Sequence, residues 1–168
     1  MAVAAWKAGE NILASRLASI TPIWASWTPT WTTSTGVNTP SFGNATVTGS
    51  YCQTGDLVSF RLEITFGSST SFGGGGGSDN WRLSVPVTAA ATANCVGFGE
   101  GQDTSVSGSL GRVGLRVRLT TTTTFELEVA TGRPDAVVIT NGGLIDAISP
   151  WTWANTDIIR VYGQYQAA

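Results

Sequence analysis

The sequence predicts an all-β protein, an antiparallel β-sandwich or jelly-roll-like domain with a short N-terminal helix. Three observations carry this. Apolar and polar residues alternate strictly over Val58 to Phe66 and again over Arg112 to Leu119 and Phe125 to Val129. Turn signals recur about every ten residues, the rhythm of sandwich and barrel proteins. The composition is rich in residues of strand faces and turns: 24 Thr, 16 Ser and 21 Gly among 168 residues.

Residues 1–20 contain no Thr at all. Leu13, Leu17 and Ile20 fall at i, i+4 and i+7, with Ala14 and Ala18 beside them, which makes a narrow apolar stripe on a short helix. Glu10 lies in the first turn, where the helix dipole favours an anion. Thr21-Pro22 ends the helix, because a residue before proline is driven out of the α region. A helix this short is marginal alone. It is therefore expected to dock on its own domain or on copies of itself. The chain divides into an attachment and oligomerisation segment, residues 1–21, and a β domain, residues 22–168. Residues 22–42 form a turn-rich connector carrying Trp24, Trp27 and Trp31; Trp27-Thr-Pro-Thr-Trp31 looks extended, and Pro29 suits an edge strand or loop.

From residue 44 the chain reads as β. The run Ala45 to Tyr51 joins the strand at Val58, Phe60, Leu62, Ile64 and Phe66 through a hairpin loop at Gln53-Thr54-Gly55-Asp56. Residues 67–80 form a long glycine-rich loop without phosphate-loop spacing, and Trp81 to Val85 resumes a strand that stops at Pro86. Ala89 to Cys95 is a weak stretch, followed by Val96 to Gly99 and a turn-rich segment to Ser109. The clearest pairing is a hairpin about Thr122. It sets Leu119 opposite Phe125, Val117 opposite Leu127 and Leu115 opposite Val129. The same register sets Arg118 opposite Glu126 and Arg116 opposite Glu128, so burial and charge agree. These ion pairs are expected to be exposed and to contribute at most about 1 kcal/mol each. A short strand at Val137 to Ile139, a turn at Asn141-Gly142-Gly143 and a last strand over Asp157 to Gln166, with Ile159, Val161 and Tyr165 on one face, complete the domain.

Composition excludes several functions. Charged residues are 12% of the chain, about half the usual ~25%. Nine scattered cations and a pI near 4.9 oppose a nucleic-acid binder that relies on phosphate contacts. The absence of His removes His-based acid–base chemistry, Ser–His triads and the commonest zinc sets. No run approaches the ~18 apolar residues of a membrane-spanning helix. The N-terminus lacks the charged start and apolar core of a secretory signal, so Met1 is expected to begin the mature chain.

The carboxylates are then the candidate catalytic groups. Glu63, Glu126 and Glu128 fall on polar strand faces, and nothing marks two of them as a glycosidase pair, so they read as solvated charges. Asp103, Asp135 and Asp79-Asn80 lie in loops, without the ligand spacing of a calcium loop. Cys52 and Cys95 are expected to be reduced and buried. No catalytic, metal or cofactor site is expected. The seven Trp admit two readings. Trp151 and Trp153, or Trp27 and Trp31, form a glycan-stacking platform, or they cover the ends of the sandwich and fill a subunit interface. Packing is the favoured reading.

Several segments resemble a known family. Trp27-Thr-Pro-Thr-Trp31-Thr-Thr-Ser-Thr, Gly43-Asn-Ala-Thr-Val-Thr-Gly-Ser-Tyr51, Gly55-Asp-Leu-Val-Ser-Phe-Arg61, Phe66-Gly-Ser-Ser-Thr70 and Trp81-Arg-Leu-Ser-Val-Pro86 resemble small β-rich virion proteins of tailed bacteriophages that infect actinobacteria. So does the ending Trp153 to Tyr165, while Trp6-Lys-Ala-Gly-Glu10 resembles the attachment segment of phage fibre-type proteins. The resemblance implies a structural protein of the particle surface, a capsid decoration protein or a minor tail or fibre protein, made in the host cytoplasm and commonly homotrimeric. Its implied partners are copies of itself and the major capsid protein or other tail proteins, without nucleic acid or membrane. Trp6, Leu13, Leu17 and Ile20 would make the attachment and trimer contact. The alternative is a carbohydrate-binding module that recognises host cell-wall glycan through Trp151 and Trp153.

Overall fold

The computed structural model describes residues 9, 11, 13, 14, 17, 20–74, 79–130 and 143–168. Trp6, Asp135, the glycine run from residue 75 and the strand expected at Val137 to Ile139 lie outside the described residues. Within them the protein is all-β. Nine strands, β1 (Ala25–Ser26), β2 (Trp31–Thr33), β3 (Thr46–Thr54), β4 (Leu57–Thr65), β5 (Trp81–Ser84), β6 (Ala93–Gln102), β7 (Arg112–Leu119), β8 (Thr124–Val129) and β9 (Ile158–Gln166), build one antiparallel sheet. Their order is β1-β3-β4-β9-β6-β7-β8-β5-β2.

The sheet is strongly curled. β4 and β8 stand four strand spacings apart, about 19 Å if the sheet were flat. Yet the rings of Phe60 on β4 and Phe125 on β8 stack with centroids 5.6 Å apart. The inner face therefore closes on itself and supplies its own core: Val58, Phe60, Leu62 and Ile64 of β4 meet Leu115, Val117, Leu119, Phe125, Leu127, Ile159 and Val161. Strand alternation tells which face is buried. It does not tell whether a second sheet or the far half of the same sheet covers that face, and here the far half does.

Residues 25–33 bridge the two edges of the curl. β1 pairs with β3 at one edge and β2 with β5 at the other. Between them the Trp27 amide donates to Gly49 O at 3.0 Å and the Ser84 amide to Thr30 O at 3.0 Å. Pro29, which has no N–H to donate, sits at the crossing between the edges, where no ladder requires one. Trp27 wedges into the closure, 6.1 Å from Phe60 and 6.3 Å from Phe125.

The expected strands at 58–66, 81–85 and 157–166 are all present. The β3–β4 loop is tighter than expected: Thr54 pairs with Leu57, leaving Gly55-Asp56 as a two-residue turn with Gly55 at φ 60°, as a type II′ hairpin requires. The β7–β8 register matches the expected one at all five pairs. Its charges are arranged differently. Glu126 is only 3% exposed, and it accepts from Arg82 Nε at 2.7 Å. β5 flanks β8 on its other side and places Arg82 opposite Glu126, so two arginines face one carboxylate. Arg118 instead reaches the diagonal Glu128 at 3.4 Å, and Arg116 bonds Glu128 directly.

β6 is longer than the sequence pattern suggested. Gly97, Gly99 and Gly101 occupy its inward positions, where periodicity looks for apolar side chains. The glycines permit close approach: Gly97 faces Gly163 of β9, and a Cβ on Gly163 would stand 2.8 Å from the Phe60 ring and 2.4 Å from Val96 O.

Candidate functional site

Of the residues singled out for attachment, the three that are described lie on a bare surface. Leu13, Leu17 and Ile20 are 60%, 51% and 37% exposed, and Ile23 and Trp24 continue the exposed apolar run. The Leu17 amide donates to Leu13 O at 3.0 Å, the i to i−4 bond of a helical turn, and Thr21 Oγ1 donates to Leu17 O at 2.9 Å. Nothing among the described residues covers the stripe.

The tryptophans go the other way. Trp153 is 3% exposed, set 5.5 Å from Phe66 and 5.4 Å from Trp81. Trp151 is half-buried against it at 4.8 Å. Trp31 is buried in the same cluster, 4.7 Å from Trp81. These rings close one end of the curl, and Trp153 has no open face for a sugar ring to stack on. Asp157 fixes this end. Its buried carboxylate accepts from the Thr104 amide (3.0 Å), the Ala154 amide (2.9 Å) and Trp151 Nε1 (3.2 Å).

The loop carboxylates are likewise held by neighbours. Asp79 accepts from Thr35 Oγ1 and from Asn38 Nδ2, and these hydrogen bonds lower its pKa below the usual 3.8. Asp103 accepts from the Ser105 amide at 2.9 Å. Among the described residues no three carboxylates or thiols gather as a metal set. Cys52 and Cys95 are both free; Cys52 is buried as expected, whereas Cys95 is exposed.

A different surface concentrates unsatisfied apolar area with polar groups. It is the outer face of β4, β9 and β6. One cross-strand row runs Arg61–Tyr162–Phe98, and the next, two residues along, runs Glu63–Arg160–Glu100. Tyr162 is 64% and Phe98 53% exposed, directly opposite each other on adjacent strands. Arg160 donates to Glu63 (3.0 Å), Glu100 (2.9 Å) and Gln102 (2.9 Å). Arg61 donates to Ser50 Oγ at 2.7 Å and lies 5.1 Å from the centre of the Trp24 ring. The rows line a groove of about 860 Å³, and a second of about 730 Å³ adjoins it on the side of Trp24, Cys95 and Gln164.

Sequence reasoning missed this surface, although a signal was present. Tyr162 and Phe98 occupy outward strand positions that otherwise carry Arg160, Gln164, Glu100 and Gln102. An aromatic residue on the polar register of a strand is out of phase with burial. No protein-family model, curated protein or solved structure matches this chain.

Proposed function

We propose that this protein is a structural component of a tailed-phage particle, displayed on the particle surface as a homotrimer and held there through residues 1–21. The observation that carries the assembly is the bare stripe of Leu13, Leu17 and Ile20. An apolar stripe left in water on one face of a helical turn is a surface that a partner can cover. Burying a Leu or Ile contributes about 1.5–3 kcal/mol. Three copies around a threefold axis would bury nine such side chains in one small bundle. The particle assignment rests on the resemblance of the strand-and-turn segments to small virion proteins. In this reading the curled sheet is the projecting, sandwich-like head, and its outer strand faces and loops face the medium.

Imaging of the assembled virus tests this. The reading expects three β domains around a threefold axis, with residues 1–21 against the shell or tail. A single copy seated through its β domain, with residues 1–21 pointing outward, contradicts it. The alternative glycan-binding reading through Trp151 and Trp153 loses support from the burial of Trp153.

A further inference from the structure

We propose that the outer face of β4, β9 and β6 binds a neutral oligosaccharide, with Tyr162 and Phe98 as the stacking surface and Glu63, Arg160 and Glu100 as partners for its hydroxyl groups. Side chains directly opposite on antiparallel strands have Cβ atoms about 4.5–5.5 Å apart, so Tyr162 and Phe98 project from neighbouring positions on one face of the sheet. Neither ring is needed by the core, which lies on the other face of the same strands. A sugar ring offers the complementary shape: an apolar C–H face edged by hydroxyl groups that both donate and accept.

Charge decides between ligand classes. Arg61 and Arg160 line the groove against Glu63 and Glu100, and Arg112 reaches Glu100 from β7 at 3.5 Å, so the groove has at most one excess positive charge; Arg116, opposite Phe98, is paired with Glu128. A nucleic acid or other polyanion needs an excess of cations. A protein partner is expected to meet an apolar centre with charges at the rim. Here the charged row lies beside the rings, inside the groove, with its planar groups already oriented by the Glu63–Arg160–Glu100 bonds. Pre-oriented carboxylates and guanidinium groups bind hydroxyls with little further ordering cost. Two adjoining open depressions, about 860 and 730 Å³, share Arg61, Phe98 and Tyr162, so the ring row lies between them. A chain of several sugar units crossing β6, β9 and β4 fits that shape.

The inference goes beyond the particle assignment and uses no residue of the N-terminal segment. Its test is titration of the full chain with neutral tri- to hexasaccharides of gluco, galacto, manno and arabino configuration, followed by tryptophan fluorescence and by backbone amide shifts of β6 and β9. At least one series should bind, and Tyr162→Ala and Phe98→Ala should each weaken it at least tenfold with unchanged melting temperature. Leu13→Asp/Leu17→Asp, which breaks the proposed trimer contact, should bind as the parent does, so loss of assembly and loss of the sugar site are told apart. The proposal fails if no neutral series binds, if only anionic sugars bind, or if a Tyr162→Ala/Phe98→Ala chain binds as tightly as the parent.

Discussion

Removing Arg82 should destabilise the fold far more than removing Arg118, although both arginines stand opposite Glu126. The Glu126 side chain is 4% exposed and Arg82 28%, with 2.7 Å between the bonded atoms. Deleting one member of a buried pair costs about 3–5 kcal/mol, because the remaining charge has lost both water and partner. Partial exposure of Arg82 and the presence of Arg118 lower the expected loss for Arg82→Ala to about 2–3 kcal/mol. Arg118 sits 3.4 Å from Glu128, with 29% and 18% of the two side chains exposed. Arg118→Ala should therefore cost under about 1 kcal/mol. Urea unfolding at pH 7 with an unchanged m-value measures both. A paired Arg82→Met/Glu126→Leu chain should regain most of the stability, since it leaves no buried charge behind. Equal losses for Arg82→Ala and Arg118→Ala, or a loss under about 1 kcal/mol for Arg82→Ala, would refute the reasoning.

Three further outcomes follow from the same geometry. Asp157→Asn replaces an acceptor of three N–H groups by a side chain that turns a donor toward some of them, and should lower unfolding free energy by about 2–4 kcal/mol in the same assay. Gly163→Ala forces a methyl against Phe60 and Val96 O and should cost about 1–3 kcal/mol, whereas Gly114→Ala, whose Cβ would meet only Ala130 at 3.8 Å, should stay within about 0.5 kcal/mol. Burial raises the Tyr165 phenol to about 12, and its O–H donates to Val87 O at 2.6 Å. The unfolded phenol ionises near 10, so the contribution of Tyr165 is complete below pH 10 and is lost as pH rises toward 12. Thermal melts from pH 9 to 12 should fall more steeply for the parent than for Tyr165→Phe.

What the sequence revealed depended on whether a residue's role was local. The β7–β8 register was readable because apolar and charged pairs both repeat every two residues. The Arg82–Glu126 bond was not, because it depends on which strand flanks β8, and Ser84 and Thr124 are separated by forty residues of chain. β6 was underread because glycines stand where apolar residues would signal burial. For the two indoles two residues apart the sequence left a platform or packing, with packing favoured, and only the curl shows which rings Trp153 packs on, Phe66 and Trp81. The Tyr162–Phe98 pair joins strands about sixty positions apart, so its members become neighbours only when β6 and β9 align.

The central claim is assembly through the bare apolar stripe, and the mass of the full chain in solution tests it most directly. Sedimentation equilibrium should give three times the 17.5 kDa chain mass, falling to a single chain in Leu13→Asp/Leu17→Asp with the β domain still folded. A parent that stays at 17.5 kDa across micromolar concentrations, or a trimer that survives both substitutions, would contradict it.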